Sequence, residues 1–295
     1  MKKEYVYAGI SIFFWSSLAT VTKLLLGSLN SMEILLVSSL FAFLFLLLVN
    51  VIKGNLKELK QYAFTDYIQM FGVGALGIFL YHLFLYMGID AMEASQAFII
   101  NYLWPIMSVL FACIILKEKM TIRKLAAILL SFLGVIVVAS DGHLLQMGKS
   151  SLVGALYCIL AAVSYGLFTV LNKKNHYNQY VSMMLYYLAS TLISLVYVVL
   201  AKDSFTLSLP QTLGMLWIGI FTTAIAFTTW GLALKQGDTA KISNLAYITP
   251  FLSLVWTFFI LKEKLNLYSI AGLLIIVLGI FIQLKGNSKE KDKQS

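Results

Sequence analysis

Charge is what this sequence is shortest of: Asp, Glu, Lys and Arg make up 12% of its 295 residues, while apolar residues make up 60%. An ordinary soluble domain is about a quarter charged and about half apolar, so a water-soluble fold of this composition would leave apolar surface uncovered. Lipid must be part of its solvent. Cysteine is nearly absent too, with 2 in the chain, and both Cys113 and Cys158 sit inside apolar runs. Their spacing makes no metal or redox pattern and no disulfide framework. There is no H-E-x-x-H, no G-x-S-x-G and no pair of mid-span aspartates, so an enzyme embedded in the membrane has no visible machinery, and neither metal nor cofactor is expected. Gly148-Lys149-Ser150 has the end of a phosphate loop, but His143 stands where that loop requires glycine. A channel would show a repeated filter segment or a ring of pore charges, and neither is present. Proline is scarce, 3 in all, and two of the three matter below.

What is present is a series of apolar runs, near residues 5–26, 33–52, 67–88, 94–116, 121–140, 151–172, 180–201, 212–234, 240–261 and 267–284. Each is about 20 residues long, the length of helix that crosses ~30 Å of hydrocarbon, and none alternates apolar with polar residues as a barrel strand does. Because backbone groups in lipid must bond within their own segment, the expectation is an all-α membrane protein of ten transmembrane helices. The first run follows Lys2-Lys3 as a signal peptide would, but it is too long for one and nine more follow, so it reads as the first span. The 22 basic residues outnumber 13 acidic ones, giving a net charge of +9. They are scattered through short loops, which argues for topology signals and against a nucleic-acid surface. Most fall on the side of the N-terminus, among them Lys53, Lys57, Lys60, Lys117, Arg123, Lys173 and Lys235, whereas Lys149, Lys202, Lys262 and Lys264 fall opposite. Both termini are therefore expected in the cytoplasm of a bacterial-type inner membrane. The Lys/Glu/Asp/Ser segment 285–295 has nothing to bury and is expected to be a disordered tail.

The chain also repeats. An offset of 145 residues lays Tyr102, Pro105, Ser108, the run Ile115 to Lys119, Ala126, Leu129, Leu133 and Gly134 on identical residues from Tyr247 to Gly279. An offset of 150 lays Trp15 on Tyr165 and Lys23 on Lys173. Two five-helix units result, 5–140 and 151–284. Five is odd, so the second enters the membrane upside down, which places Lys117-Glu118-Lys119 and Lys262-Glu263-Lys264 on opposite faces. Two inverted repeats around a central cavity are what alternating access requires, since exchanging the conformations of the halves moves the opening from one side to the other.

The string Asn101-Tyr102-Leu103-Trp104-Pro105, the apolar stretch that follows, Lys117-Glu118-Lys119 and Gly134, with their counterparts Tyr247, Pro250, Lys262-Glu263-Lys264 and Gly279, resembles the EamA-type repeat of the drug/metabolite transporter superfamily. The resemblance runs from about residue 8 to 284. It implies a ten-helix basket carrying small metabolites, and the Asn-Tyr-Leu-Trp-Pro string is similar to the branch that exports aromatic and other neutral amino acids. In that branch aromatic side chains on helices 1, 4 and 6 belong to the cavity, which here means Trp15, Trp104 and Tyr165. Carriers of nucleobases or sugars share the same repeat and stay open as alternatives.

Individual residues sharpen this. Pro105 and Pro250 lie mid-span at equivalent positions; each lacks a donor for the carbonyl four residues earlier, at Asn101 and Ala246, so a hinge or a cavity wall is expected there. Asn101 and Trp104, three apart, share a helix face, and an indole beside an amide suits a flat or aliphatic solute carrying a polar group. Tyr102 and Tyr247 flank the two prolines. Lys23, near the end of span 1, either snorkels to the interface or pairs a substrate carboxylate. His82, the histidine inside a span, is a packing group or a gate. No Asp or Glu lies mid-span, where proton-coupled carriers place one, so facilitated or weakly coupled export is expected. No two glycines lie four apart, the spacing of close-packed helix dimers, so a monomer is expected. Its partners are then a small-molecule substrate and the bilayer.

Overall fold

The computed structural model describes residues 3–115, 117, 120–140, 149–202, 206–236, 245–246, 248–264 and 266–291, and among these residues there is helix and no strand. Seven helices are long and apolar enough to cross a membrane, and three shorter apolar stretches accompany them. In chain order the helices are α1 (Lys3–Leu26), α2 (Ser31–Lys53), α3 (Phe64–Ala91), α4 (Ala94–Ile115), α5 (Ile122–Ser140), α6 (Lys149–Lys174), α7 (Gln179–Ala201), α8 (209–236), α9 (Ile248–Leu261) and α10 (Leu267–Lys291). The last helix runs through Lys291. The local ladder is satisfied within the helix itself, so a polar segment can continue a helix that hydrophobic burial has already nucleated.

Local chemistry sets the helix ends. Asn30 caps α2 by accepting from Met32 N at 3.0 Å and Glu33 N at 2.9 Å, and the Glu33 carboxylate accepts from Asn30 N at 2.9 Å. Asn178 caps α7 in the same manner through Tyr180 N at 2.9 Å. Both helices are 23 residues long, and both end on a left-handed residue, Gly54 at φ 68° and Lys202 at φ 56°. Lys117 and Lys262, an offset of 145 apart, are likewise left-handed, at φ 56° and 59°.

The halves also pack reciprocally. Helix α2 packs on α7 and α5 on α10; α3 packs on α6 as α1 does on α8, and α4 packs on α6 as α9 does on α1. Within α3 and α8 the ladder widens to π-helical turns at Ala75–Leu80 and Trp217–Ile225. Gly74 and Gly219, again 145 apart, let these helices touch their neighbours' backbones: a Cβ on Gly74 would lie 2.7 Å from Tyr186 Cα in α7, and one on Gly219 would lie 2.4 Å from Ser38 O in α2. Apolar side chains such as Leu48, Ile52, Leu129, Val196 and Leu200 cover the outside, while Ser11, Ser39, Ser190 and Thr223 are buried between helices. That distribution suits a lipid solvent, in which small polar residues hold helices together; the hydroxyls of Ser39 and Ser190 meet at 2.9 Å across α2 and α7.

One sequence expectation needs correcting: Asn101 and Trp104 do not share the face of one continuous helix. Helix stops at Asn101, Tyr102 and Leu103 form a turn, and helix resumes at Trp104. Pro105 has no N–H for the Asn101 carbonyl, and its ring disfavours helical geometry at the residue before it, so the rupture falls on the N-terminal side of the proline.

Candidate functional site

The break in α4 lies on a narrow cavity of about 20 Å³. From α1 come Trp15 and Leu18, from α3 Tyr81, from α4 Phe98, Asn101, Tyr102 and Trp104, from α6 Tyr165, from α8 Phe227 and from α9 Thr249. Tyr165 stands at its centre. Its ring lies 4.7 Å from Tyr81, 5.0 Å from Trp104 at 80° and 5.5 Å from Phe227 at 86°, while Trp15 meets Phe227 edge to face at 5.3 Å. Such edge-to-face and offset contacts are the favoured geometry of rings, so the box is a set of mutually braced aromatic surfaces. Among the described residues none of the lining side chains is charged.

Polar groups are few and placed by the break. Asn101, 2% exposed, donates from Nδ2 to the Tyr81 hydroxyl at 3.3 Å. The Tyr102 hydroxyl donates to Ala246 O, the carbonyl that Pro250 cannot bond, so one half of the chain satisfies the backbone ruptured in the other. Thr249 N donates to the same carbonyl at 3.0 Å. Asn101 Oδ1 and Thr249 Oγ1 are buried without a hydrogen-bond partner among the described residues.

Of the residues singled out from sequence, Trp15, Asn101, Tyr102, Trp104 and Tyr165 meet at this cavity, with Pro105 one residue beyond Trp104 and Pro250 one beyond Thr249. Tyr247 lies outside the described residues. His82 is buried behind Tyr81, with its ring 4.7 Å from that of Tyr81 and its Nδ1 2.8 Å from Ile78 O. It does not line the cavity. Lys23 is elsewhere: its Nζ donates to Ile89 O at 2.6 Å and Met92 O at 2.8 Å, capping the end of α3. On the N-terminus of α4 beside it, the Glu263 carboxylate accepts from Ala94 N at 2.9 Å and Ser95 N at 3.1 Å. These two contacts tie α1, the α3–α4 turn and the α9–α10 turn together at one end of the bundle. Among the described residues no group of three or more His, Cys, Asp or Glu side chains gathers as a metal site would.

Sequence reasoning did not pick out Leu18, Tyr81, Phe98, Phe227 or Thr249 as lining residues. The repeat held the signal for two of them, since the offset of 145 lays Trp104 on Thr249 and His82 on Phe227. Leu18 shares the helix face of Trp15, three residues away. For Tyr81 and Phe98 no sequence signal distinguishes them from the other aromatics of these spans.

Comparison with known proteins places the chain. The EamA-like transporter family matches residues 2–140 and 152–284. A transporter of uncharacterised substrate from Clostridium kluyveri is 25% identical over 301 residues, covering 99% of this chain and 96% of that one. An aromatic amino acid exporter, YddG of Ancylobacter novellus, is 25% identical over 183 residues, covering 62% and 63%. A solved crystal structure shares the fold at a TM-score of 0.70 and 20% identity, covering 95% of this chain and 96% of that one.

Proposed function

Since the chain belongs to the EamA-like transporter family, and so is a multi-pass membrane transporter, we propose that it exports neutral or aromatic amino acids through the aromatic cavity by alternating access. The observation that carries this reading is the uncharged ring-lined cavity at a helix broken in mid-span. A broken helix leaves backbone groups within the membrane, and these are tolerated where they line a cavity that a solute can enter. Trp15, Trp104 and Tyr165 offer faces to an apolar side chain, and Asn101 and Thr249 offer polar atoms to its backbone end. The name of the Ancylobacter novellus relative agrees with that chemistry.

The alternating-access part rests on two inverted repeats, 5–140 and 151–284, with both termini cytoplasmic in a bacterial-type plasma membrane. Its support is the reciprocal packing, the matched π turns, and the Tyr102–Ala246 bond that joins the halves across the cavity. In this reading Pro105 and Pro250 are the hinges, and the Lys23 and Glu263 contacts hold one mouth shut. Among the described residues no carboxylate lines the cavity, which favours movement down a gradient over proton-driven pumping.

The test is counterflow in proteoliposomes with labelled phenylalanine, competed by a panel of amino acids, nucleobases and sugars. Competition confined to neutral and aromatic amino acids is expected, with Trp104→Ala abolishing exchange while the protein still unfolds cooperatively. Normal exchange by Trp104→Ala would remove this cavity from the transport path.

A further inference from the structure

On α1 the segment Phe13-Phe14-Trp15-Ser16-Ser17 is gripped from two sides. From α9, Trp256 Nε1 donates to Ser16 Oγ at 2.9 Å, and the indole meets the Phe13 ring edge to face at 5.9 Å and 71°. From α8, Trp217 Nε1 donates to Ser17 Oγ at 3.0 Å, and its indole meets the Phe14 ring at 5.6 Å and 74°. Each serine accepts with its own proton already committed, from Ser16 Oγ to Phe13 O at 2.7 Å and from Ser17 Oγ to Phe14 O at 2.8 Å. Both serines are buried, and bonds of this kind are what hold helices together in lipid. At about 100° per residue, the Phe13–Ser16 pair lies about 130° to one side of Trp15 and the Phe14–Ser17 pair about 130° to the other. The circumference of α1 is thus divided almost evenly among two grips and Trp15, which lines the cavity and meets Phe227 at 5.3 Å. A single grip would let α1 pivot; two on opposite flanks stop it turning. Both indoles also stand at widened turns, Trp217 at the start of Trp217–Ile225 and Trp256 immediately before Thr257–Leu261, and π turns are frequent at functional sites.

We propose that Ser16, Ser17, Trp217 and Trp256 are positioning residues for the solute site: two indole–serine grips fix the rotation of α1 and so hold the Trp15 ring toward the solute. This rests on the transport reading above and extends it to four side chains that do not line the cavity.

The experiment measures KM and kcat of labelled phenylalanine exchange by the full-length protein in proteoliposomes. Ser16→Ala and Ser17→Ala are each expected to raise KM about three- to tenfold and to leave kcat within about twofold, since a loosened Trp15 weakens solute binding without touching the hinges. Ser16→Thr and Ser17→Thr keep the hydroxyl and are expected to stay within about twofold of wild type. In a Trp15→Leu background the same alanine changes are expected to add less than about twofold, because the residue they act through is gone. Should an alanine variant not fold, Trp217→Phe and Trp256→Phe each delete one N–H and keep a ring, and the same rise in KM is expected. A second measurement needs no solute. Leu24, 56% exposed, lies about 180° from Trp15 on α1, so a nitroxide on Leu24→Cys, in a Cys113→Ala background that leaves only buried Cys158, reads the rotation of the helix. Loss of both serines is expected to lower the accessibility of that label to oxygen dissolved in the lipid. Unchanged KM in both alanine variants would overturn the proposal, as would threonine variants as impaired as the alanine ones, full alanine effects in the Trp15→Leu background, or an unchanged nitroxide signal. Wild-type protein that does not exchange phenylalanine would overturn the transport reading alone, and the nitroxide then decides the grips.

Discussion

Removing one hydroxyl tests how the two halves are joined. Tyr102→Phe keeps the ring, which packs 5.9 Å from Phe98 and 6.3 Å from Trp104, and deletes the donor to Ala246 O. That carbonyl keeps its bond from Thr249 N at 3.0 Å, so it is not orphaned and the full penalty of a buried unsatisfied acceptor does not apply. What is lost is the net value of one hydrogen bond within a membrane protein, about 0.6 to 1.5 kcal/mol. At 1.4 kcal/mol per factor of ten this is about a three- to twelve-fold rise in the local opening of the start of α9. Hydrogen exchange of the purified protein reads it directly, through the amides of Thr249, Phe251 and Leu252. Those amides should exchange about three to twelve times faster in the variant, while α2 and α7 stay as protected as before. Exchange within twofold of wild type around Pro250, in a variant that remains folded, would refute the view that Tyr102 supports the carbonyl left by Pro250.

The helix contacts make further predictions. Gly219→Ala places a Cβ 2.4 Å from Ser38 O, a backbone atom that cannot turn aside, so it should destabilise by about 1–3 kcal/mol in thermal unfolding in detergent. Gly74→Ala, its counterpart against Tyr186, should do the same, whereas Gly9→Ala, with nothing within 4 Å, should unfold at the wild-type temperature or above it. Glu263→Gln keeps the shape but loses the charge over the first amides of α4, which is worth about 0.3–1 kcal/mol, and Lys23→Met removes the cap on the end of α3. Each should speed maleimide labelling of a cysteine introduced at Ser95, and unchanged labelling in the double variant would show that these contacts do not hold that end closed.

The break in α4 shows how far the residue types alone reach. Pro105 and the Asn-Tyr-Leu-Trp string mark the place, and five of the residues singled out around it, Trp15, Asn101, Tyr102, Trp104 and Tyr165, share one cavity. Lys23 shows the limit. A cation near a span end has several ways to be satisfied, and the carbonyls it caps, at Ile89 and Met92, lie far from it in sequence. His82 is a similar case, since an unspecialised buried histidine and a gate have the same sequence signature, and only its place behind Tyr81 shows that it is not a lining group.

Composition and the spacing of apolar runs were enough to determine a helical membrane protein, because lipid leaves no other way to bond the backbone. The offset of 145 was enough to pair the prolines and the Lys-Glu-Lys turns. Tertiary structure alone decided which faces turn inward, that Tyr81 and Phe98 join the box, and that Tyr102 bonds the opposite half. The reason is the solvent. In water an apolar stripe points to the core, but in a bilayer the outer face of each helix is as apolar as the inner one, so the stripe loses its meaning and only packing between small and polar residues selects the inward side.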